Sequence, residues 1–545
     1  MRRRLLLLSV FIILLSFPTQ CSASAYNGRP KLVVIIVVDQ FRGDYLERYR
    51  DQFSGGFRML LERGANFTDC YYDYANTRTA PGHATLGTGA YTNGHGIGAN
   101  DWWDPARGKL VSSVEDDTTT AVGGAGTGSS PHNLLADTLG DELRMATQGA
   151  ARVFGISLKD RAAILPTGFT ANGAYWLDKA TGAFETSSYY MNELPAWVRD
   201  FNTGHHAEKY LNREWKDASG NVLRTTKIPT NAKGAAADYY EVVGATPYAT
   251  DYQLEFAREL IAQEKIGSGP VTDLLVISIS APDILGHKVG PDSPQMKLMT
   301  MELDRQLGDF FSYLGKQIGL ANVWVALSAD HGIVPLPQAT RKLHMPGGDF
   351  DASKLLLPLN VALAKKLNRP ANEYVKAVVW PFVFLSEPSF RAANVTAAEA
   401  ERMAGEGLLQ NPFVRGYYTR TQLATGALPS DDLGRKYLHS YTPNGGWYVM
   451  AIPTPFMTDY APGVDHLAPY SYDTHVPLVF YGLPFQAGTY RTHCEPVDMA
   501  VTLASLLGIN KPSHAVGRVL TEALKVLQGD SGSGSNSPAA GEQPR

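Results

Sequence analysis

Three continuous apolar runs constrain the fold more than any other feature of the chain: KLVVIIVV at 31–38, DLLVISIS at 273–280 and VWVALSA at 323–329. Each is rich in Val, Ile and Leu and lacks polar/apolar alternation. That is the pattern of a strand covered on both faces, as in a parallel sheet flanked by helices. VPLVFYG at 476–482 is a shorter run of the same kind. Stretches of helical periodicity lie between the runs. In MKLMTMELDRQLGDFFSYL, Met296, Met299, Leu303, Leu307 and Phe310 recur at three- and four-residue steps, which predicts a helix with its apolar face in the core. Strands alternating with helices predict an α/β sheet.

A chain of 545 residues has room for about two to four domains, or for one large α/β unit carrying insertions. Residues 167–248 are rich in Tyr, Asn, Thr and Gly, and residues 340–465 mix short helical stretches with Pro-rich and aromatic loops. Both are expected to be insertions covering part of the active face of one catalytic unit over 26–528. The tail 529–545, GDSGSGSNSPAAGEQPR, is of low complexity and expected to be disordered. At the other end, Arg2, Arg3 and Arg4 precede LLLLSVFIILLSF, and Ala23 and Ala25 form an Ala-x-Ala arrangement. The apolar run is shorter than the ~20 residues a bilayer span needs. The segment 1–25 therefore predicts a cleaved signal peptide, no stable membrane anchor, and a periplasmic or secreted protein. PTQC before Cys21 lacks the small residues of a lipoprotein signal. Beyond the leader only Cys70 and Cys494 remain. They are too few for a thiolate metal site, and the sequence does not say whether they meet. The formal net charge of −4 offers no basic footprint for nucleic acid.

The chemistry gathers where the apolar runs end. The first runs into Asp39, the second into Asp283 and His287, the third into Asp330 and His331, while His475 immediately precedes the fourth. In open parallel sheets ligands bind outside the carboxyl ends of the strands, so the first three signals converge on one edge. His475 must reach that edge by a loop. Three carboxylates and three imidazoles suit Zn²⁺. They are too many for one tetrahedral ion and enough for two ions about 3.5–4 Å apart, which clamp the attacking and leaving oxygens of an in-line displacement. Taken singly, each signal has a structural explanation: a helix-face pair for Asp283 and His287, an N-capped turn for Asp330.

Thr79 stands before Ala80-Pro81-Gly82-His83. Proline is favoured in the first helical turn, so Thr79 is expected at a helix N-terminus, where backbone N–H groups and the dipole favour negative charge. A hydroxyl placed there and bound to Zn²⁺ loses its proton more readily and becomes a nucleophile; the alternative is a simple helix cap. His83, His95, Thr77, Thr85 and Thr88 are read as structural. In an extended segment residues two apart share a side, so Lys159 and Arg161 would aim a point charge and a planar fork at one anion.

TAPGHATLGTGAYTNGHGIGANDWWD, SLKDRAAILPTG, APDILGHKVGP, ADHG and YDTHVPLVFYG together resemble the alkaline phosphatase superfamily. More narrowly they resemble the bacterial phosphate-irrepressible alkaline phosphatases with a threonine nucleophile, over roughly residues 30 to 525. The resemblance implies a three-layer α/β/α fold with a mostly parallel central sheet and inserted cap segments, two Zn²⁺ ions and small-molecule phosphate monoesters as substrates. It assigns Asp283, His287 and His475 to one ion, and Asp39, Asp330, His331 and Thr79 to the other. Asn100, Lys159 and Arg161 would contact the phosphoryl oxygens, and Thr79 would pass through a covalent phosphothreonine. Nucleotide pyrophosphatase/phosphodiesterases share the fold, the ions and an Asn resembling Asn100; Lys159 and Arg161 favour a monoester, whose extra charged oxygen needs partners. The motif TAPGH does not match the nucleophile motif of arylsulfatases. A secreted zinc- or carbohydrate-binding protein on the same scaffold is the non-enzymatic alternative. The physiological substrate, leaving-group preference, oligomeric state and pH optimum are not written in the sequence.

Overall fold

The computed structural model describes residues 28–228, 238–370, 373–459 and 463–525. The expected leader and C-terminal tail lie outside them. The three apolar runs form strands β1 (Leu32–Val38), β8 (Asp273–Ile279) and β9 (Val323–Ser328), and every residue in them is buried. β1 lies between the other two, in register and parallel to both, with Val38 opposite Ile279 and Val37 opposite Ser328. The other strands of the sheet, in chain order, are β2 (Ala65–Phe67), β3 (Glu115–Val122), β4 (Thr127–Ser129), β5 (Val153–Ser157), β6 (Gly173–Leu177), β7 (Phe184–Ser187), β10 (Leu478–Tyr481) and β11 (Gly488–Tyr490). The spatial order is β11-β2-β10-β9-β1-β8-β5-β6-β7-β3-β4. The five central strands β9-β1-β8-β5-β6 are parallel, and antiparallel strands flank them.

Two expectations change here. VPLVFYG reads like another central parallel strand, yet β10 is antiparallel to β9, with Ser328 opposite Leu478. After the long excursion through residues 329–477 the chain re-enters the sheet, past the short helix Ser471–Thr474, at the edge where β9 leaves it, which makes the pairing antiparallel. Within the first expected insertion, Gly173–Ser187 is sheet rather than cover: β6 pairs parallel with β5, and β7 hairpins back onto it.

The second expected insertion contains an antiparallel sheet of its own, with strands Val375–Val379, Phe382–Leu385, Tyr448–Pro453 and Val414–Thr419 in that spatial order. Period-two alternation gives it two apolar faces. Val383, Leu385, Val449 and Ala451 pack under helices Leu356–Lys366 and Ala397–Leu408. Phe382, Phe384, Tyr448 and Met450 share a cluster with Ala80 and Ala84 of the helix that begins at Thr79. The cap is thus anchored by its inner face on the element carrying the expected nucleophile.

The long helix Pro294–Gln317 buries Met296, Met299, Leu303, Leu307 and Phe310 as expected. The same helix buries Asp304, whose carboxylate accepts the backbone N–H groups of Ser54, Gly55 and Phe57 at 2.7 Å each and of Arg58 at 3.3 Å. These are donors that the start of helix Gly56–Arg63 leaves unbonded. Asp304→Ala is expected to lower unfolding free energy by about 3 kcal/mol, because buried donors left unpaired incur their full desolvation penalty. Asp304→Asn should be milder, and denaturant titration reads both. Cys70 and Cys494 are both buried, with free thiols, and face each other across an isolated parallel bridge.

Candidate metal centre and nucleophile

The parallel register of β9, β1 and β8 brings three carboxylates to one edge. Asp39 follows β1 directly, its N–H bonded to Ile279 O at 3.0 Å. Asp330 lies two residues past β9. Asp283 opens the helix Ala281–Val289 after β8, and His287 lies one turn later on the same face, its Nε2 3.1 Å from Asp283 Oδ1. The helix-face pair and the expected ligand pair are therefore the same arrangement.

Gln40, unremarkable in the sequence, ties these groups together. It holds φ at 63°, a left-handed conformation uncommon for glutamine. There its N–H donates to Asp330 Oδ1 at 3.0 Å and its Nε2 to Asp283 Oδ1 at 2.7 Å.

Three side-chain atoms in the centre of this group are buried without a hydrogen-bond partner: Asp39 Oδ1, Asp330 Oδ2 and His331 Nε2. His331 Nδ1 is anchored on Gly332 O at 2.9 Å, which turns Nε2 inward. One donor atom from each of Asp39, Asp330 and His331 lies within 4.8 Å of the others. Asp330 Oδ2 lies 3.2 Å from His83 Nδ1, and His331 Nε2 lies 3.6 Å from Asp39 Oδ1 and 3.5 Å from Asp330 Oδ2; buried carboxylate oxygens so close to an imidazole nitrogen favour a cation among them, and the donor set is one that Zn²⁺ accepts. The electrostatics agree. Burial, then the carboxylates of Asp283 and Asp330, push the Asp39 carboxyl well above its usual range. Burial lowers His331 and His466, favouring the neutral imidazole that binds metal. His287 is opposed by burial, but the Asp283 carboxylate raises it to about 9.

The neighbouring donor groups differ from the sequence expectation in one histidine. His475 is not in them. Tyr71 and His475 form an isolated antiparallel bridge; the imidazole stacks on Tyr71 with ring centroids 4.5 Å apart, and Nε2 meets Thr68 O at 3.0 Å. Because β10 is antiparallel to β9, the residues just before it do lie at the ligand edge, but one strand too far out, beside β2. The imidazole that arrives is His466, nine residues earlier. Its ring stacks on His331 at 3.7 Å, and its Nδ1 is held by Thr77 O. Donor atoms of Asp283, His331 and His466 lie within 4.8 Å of one another, as do those of His287, Asp465 and His466. Thr77 docks this loop, its hydroxyl oxygen accepting Leu467 N and Ala468 N at 3.1 and 3.0 Å. The dipeptide Asp465-His466 repeats Asp330-His331, a signal available in the sequence.

Thr79 is the first residue of helix Thr79–Thr88, as expected, and the start of that helix has no side-chain cap. Its hydroxyl lies 3.5 Å from Lys159 Nζ. Gly82 brings the helix against the metal edge, since a Cβ there would stand 2.4 Å from Asp330 O. His83 Nδ1 meets Thr79 O at 2.8 Å and its Nε2 meets Ser278 Oγ at 2.7 Å, which fixes the first turn on β8. Asn100 Oδ1 accepts Ala80 N–H at 2.9 Å, so the amide NH₂ is the group left to donate.

Lys159 follows β5 and lies beside the carboxylates, with Nζ 2.6 Å from Asp39 Oδ2 and 2.5 Å from Asp283 Oδ2. Burial works against its charge, but those two carboxylates more than compensate and hold its pKa above the usual lysine value. Lys159 and Arg161 do not share an extended segment. The helix Asp160–Ile164 begins between them, with Lys159 as its extended N-cap and Arg161 in the first turn. Arg161 keeps a buried Nε without a partner.

A family model for type I phosphodiesterase/nucleotide pyrophosphatase matches residues 33–354. The alkaline phosphatase PhoV of Synechococcus elongatus is 34% identical over 91% of this chain and 94% of its own length. The chain belongs to this family, on its alkaline phosphatase branch. A Myroides odoratus protein named a calcium-transporting ATPase is also 34% identical, over 92% of this chain and 96% of its own. The crystal structure of the alkaline phosphatase PafA superposes with a TM-score of 0.82 at 32% identity, covering 91% of this chain and 99% of that one. A variant of PafA changed at one threonine, one asparagine, one lysine and one arginine has also been solved. Among the described residues no helix is long and apolar enough to cross a membrane.

Proposed function

We propose that this phosphatase hydrolyses phosphate monoesters with Thr79 as nucleophile and with two Zn²⁺ ions, one held by Asp39, Asp330, His331 and Thr79, the other by Asp283, His287 and His466. Phosphoric monoester hydrolysis follows from its place among the alkaline phosphatases. The observation that carries the rest is the convergence of three overlapping donor groups, which share His331 and His466, beside the hydroxyl of Thr79 at the start of its helix. Zinc bound at these positions would supply Lewis-acid stabilisation of the attacking and leaving oxygens.

The protein's own residues do the remainder. The Thr79 hydroxyl loses its proton to solvent as Oγ1 forms a bond to phosphorus and the ester P–O bond breaks, and the leaving oxygen takes up one proton from solvent to depart as the alcohol. Water then adds to the phosphothreonine, releasing phosphate and returning the hydroxyl. Lys159 Nζ, already within reach of Thr79 Oγ1, balances negative charge on the transferring group, together with the Asn100 NH₂ and the Arg161 guanidinium. Such positioned donors are the main protein contribution to phosphoryl transfer. The four residue types changed in the PafA variant are those placed here around the phosphoryl group. The leader features at 1–25 support export to the periplasm or beyond.

The family model's phosphodiesterase description supplies the competing reading. Turnover of an aryl phosphate monoester is expected to exceed that of a matched diester and to disappear with chelator. Lys159→Ala/Arg161→Ala should lower monoester kcat/KM by about 10³-fold or more, as loss of transition-state donors does, and change diester turnover far less. A wild-type preference for the diester would overturn the assignment.

A further inference from the structure

The two Asp-His dipeptides share one local geometry. In the first, Asp330 Oδ1 accepts His331 N–H at 3.0 Å, while His331 Nδ1 is bound to a backbone carbonyl. In the second, Asp465 Oδ1 accepts His466 N–H at 2.9 Å, while His466 Nδ1 is bound to the carbonyl of Thr77. Each backbone thereby sets a carboxylate beside an inward-facing Nε2. In the first dipeptide both side chains belong to the proposed ligand set. In the second the reading so far uses only the histidine.

We infer that Asp465 is a fourth protein ligand of the ion held by Asp283, His287 and His466. The inference rests on the two-zinc reading above. Asp465 Oδ1 lies 3.3 Å from His466 Nε2, and Asp283 Oδ1 lies 3.1 Å from His287 Nε2. Ligand atoms about 2.0–2.1 Å from a tetrahedral zinc are about 3.3 Å apart, so both pairs have the spacing of neighbouring ligands. The loop is braced for this role: Asp465 N–H donates to Thr458 Oγ1 at 2.7 Å, and Val464 O holds His287 Nδ1 at 2.7 Å. Both imidazoles are thus held at Nδ1 by backbone carbonyls, the usual support for a ligating histidine, and Asp465 Oδ1 lies 3.9 Å from His287 Nδ1.

Two carboxylates and two imidazoles hold a divalent ion more firmly than one carboxylate and two imidazoles. Zinc accepts a fifth ligand during reaction, so a full protein set still admits a substrate oxygen. The carboxylate also draws on Arg78, the residue before the nucleophile, whose guanidinium donates to the cap carbonyl Trp380 O and whose charge acts on Asp465. Charge balance with Arg78, without metal ligation, is the competing role for Asp465.

The test is zinc retention by the intact enzyme. Wild type is expected to hold two zinc equivalents against a chromophoric chelator. Asp465→Asn keeps the acceptor for His466 N–H; it should release one equivalent about 10–100-fold more readily and leave the other unchanged. With cobalt in place of zinc, its visible spectrum should shift in band position and intensity, whereas Asp459→Asn, a change to a neighbouring carboxylate, should not move it. Circular dichroism checks that each variant is folded. Two equivalents held as firmly as in wild type, with an unchanged cobalt spectrum, would leave Asp465 as a partner of Arg78 only. A wild-type protein that takes up no zinc would overturn the two-zinc reading itself, and this inference with it.

Discussion

Thr79→Ala is expected to lower phosphate monoester turnover by about 10⁴-fold or more, the scale on which enzymes lose rate when an activated nucleophile is removed. The substitution leaves the fold alone, because alanine is the best helix former and the threonine hydroxyl caps nothing in helix Thr79–Thr88. The metal content should stay near that of wild type, since three other donors remain at that position. Acid quenching during turnover of a labelled monoester should trap phosphate on wild-type protein and none on Thr79→Ala. Thr79→Ser, which restores a hydroxyl without its methyl group, should recover both label and activity in part. Label retained in the alanine variant would place the nucleophile elsewhere and undo the mechanism.

The second large effect separates His475, which the sequence analysis expects as a ligand, from His466, which is proposed in its place. His466→Ala is expected to halve the zinc content and lower kcat by about 10³-fold or more, since a metal ion supplies several kcal/mol of transition-state stabilisation. His475→Ala should retain both zinc equivalents and lose less than about tenfold in kcat. Its cost should fall on stability, roughly 1–3 kcal/mol, because the imidazole packs against Gly43 and Tyr71 and meets Thr68 O rather than a ligand group. Metal analysis of the two purified variants decides between them. Loss of zinc in His475→Ala with retention in His466→Ala would reverse the assignment.

The contrast shows what kind of information the sequence carries. Asp39, Asp283, His287, Asp330 and His331 were legible as one group because each follows a fully apolar run, and such runs mark buried central strands whose ends collect ligand groups. Thr79 was legible from the helix-start chemistry of Ala80-Pro81-Gly82. Asn100, Lys159 and Arg161 were singled out through resemblance, since a single amide or a two-cation spacing says little by itself, and their role at the phosphoryl group stays a proposal. The helix that begins at Asp160 shows why the spacing argument for that pair was unsafe: two residues apart means one side in a strand and not in a helix turn. Gln40 gave no sign of its role, because a side chain that orients other side chains has no periodicity or motif of its own.

His466 and Asp465 lay in view as a second Asp-His pair, but on a loop whose path is fixed by a long-range contact to the hydroxyl of Thr77. The direction of β10 belongs to the same class. An apolar run states that a strand is buried and is silent about which end the chain enters, because burial depends on the side chains while direction depends on where the connecting segment lies. By itself the sequence determined the buried α/β core, the edge at which chemistry collects and most of the groups that collect there, since strand-end placement is a local consequence of burial. Only the tertiary structure decided which histidine completes the second donor group and what holds the carboxylates in place, since those depend on contacts between segments hundreds of residues apart.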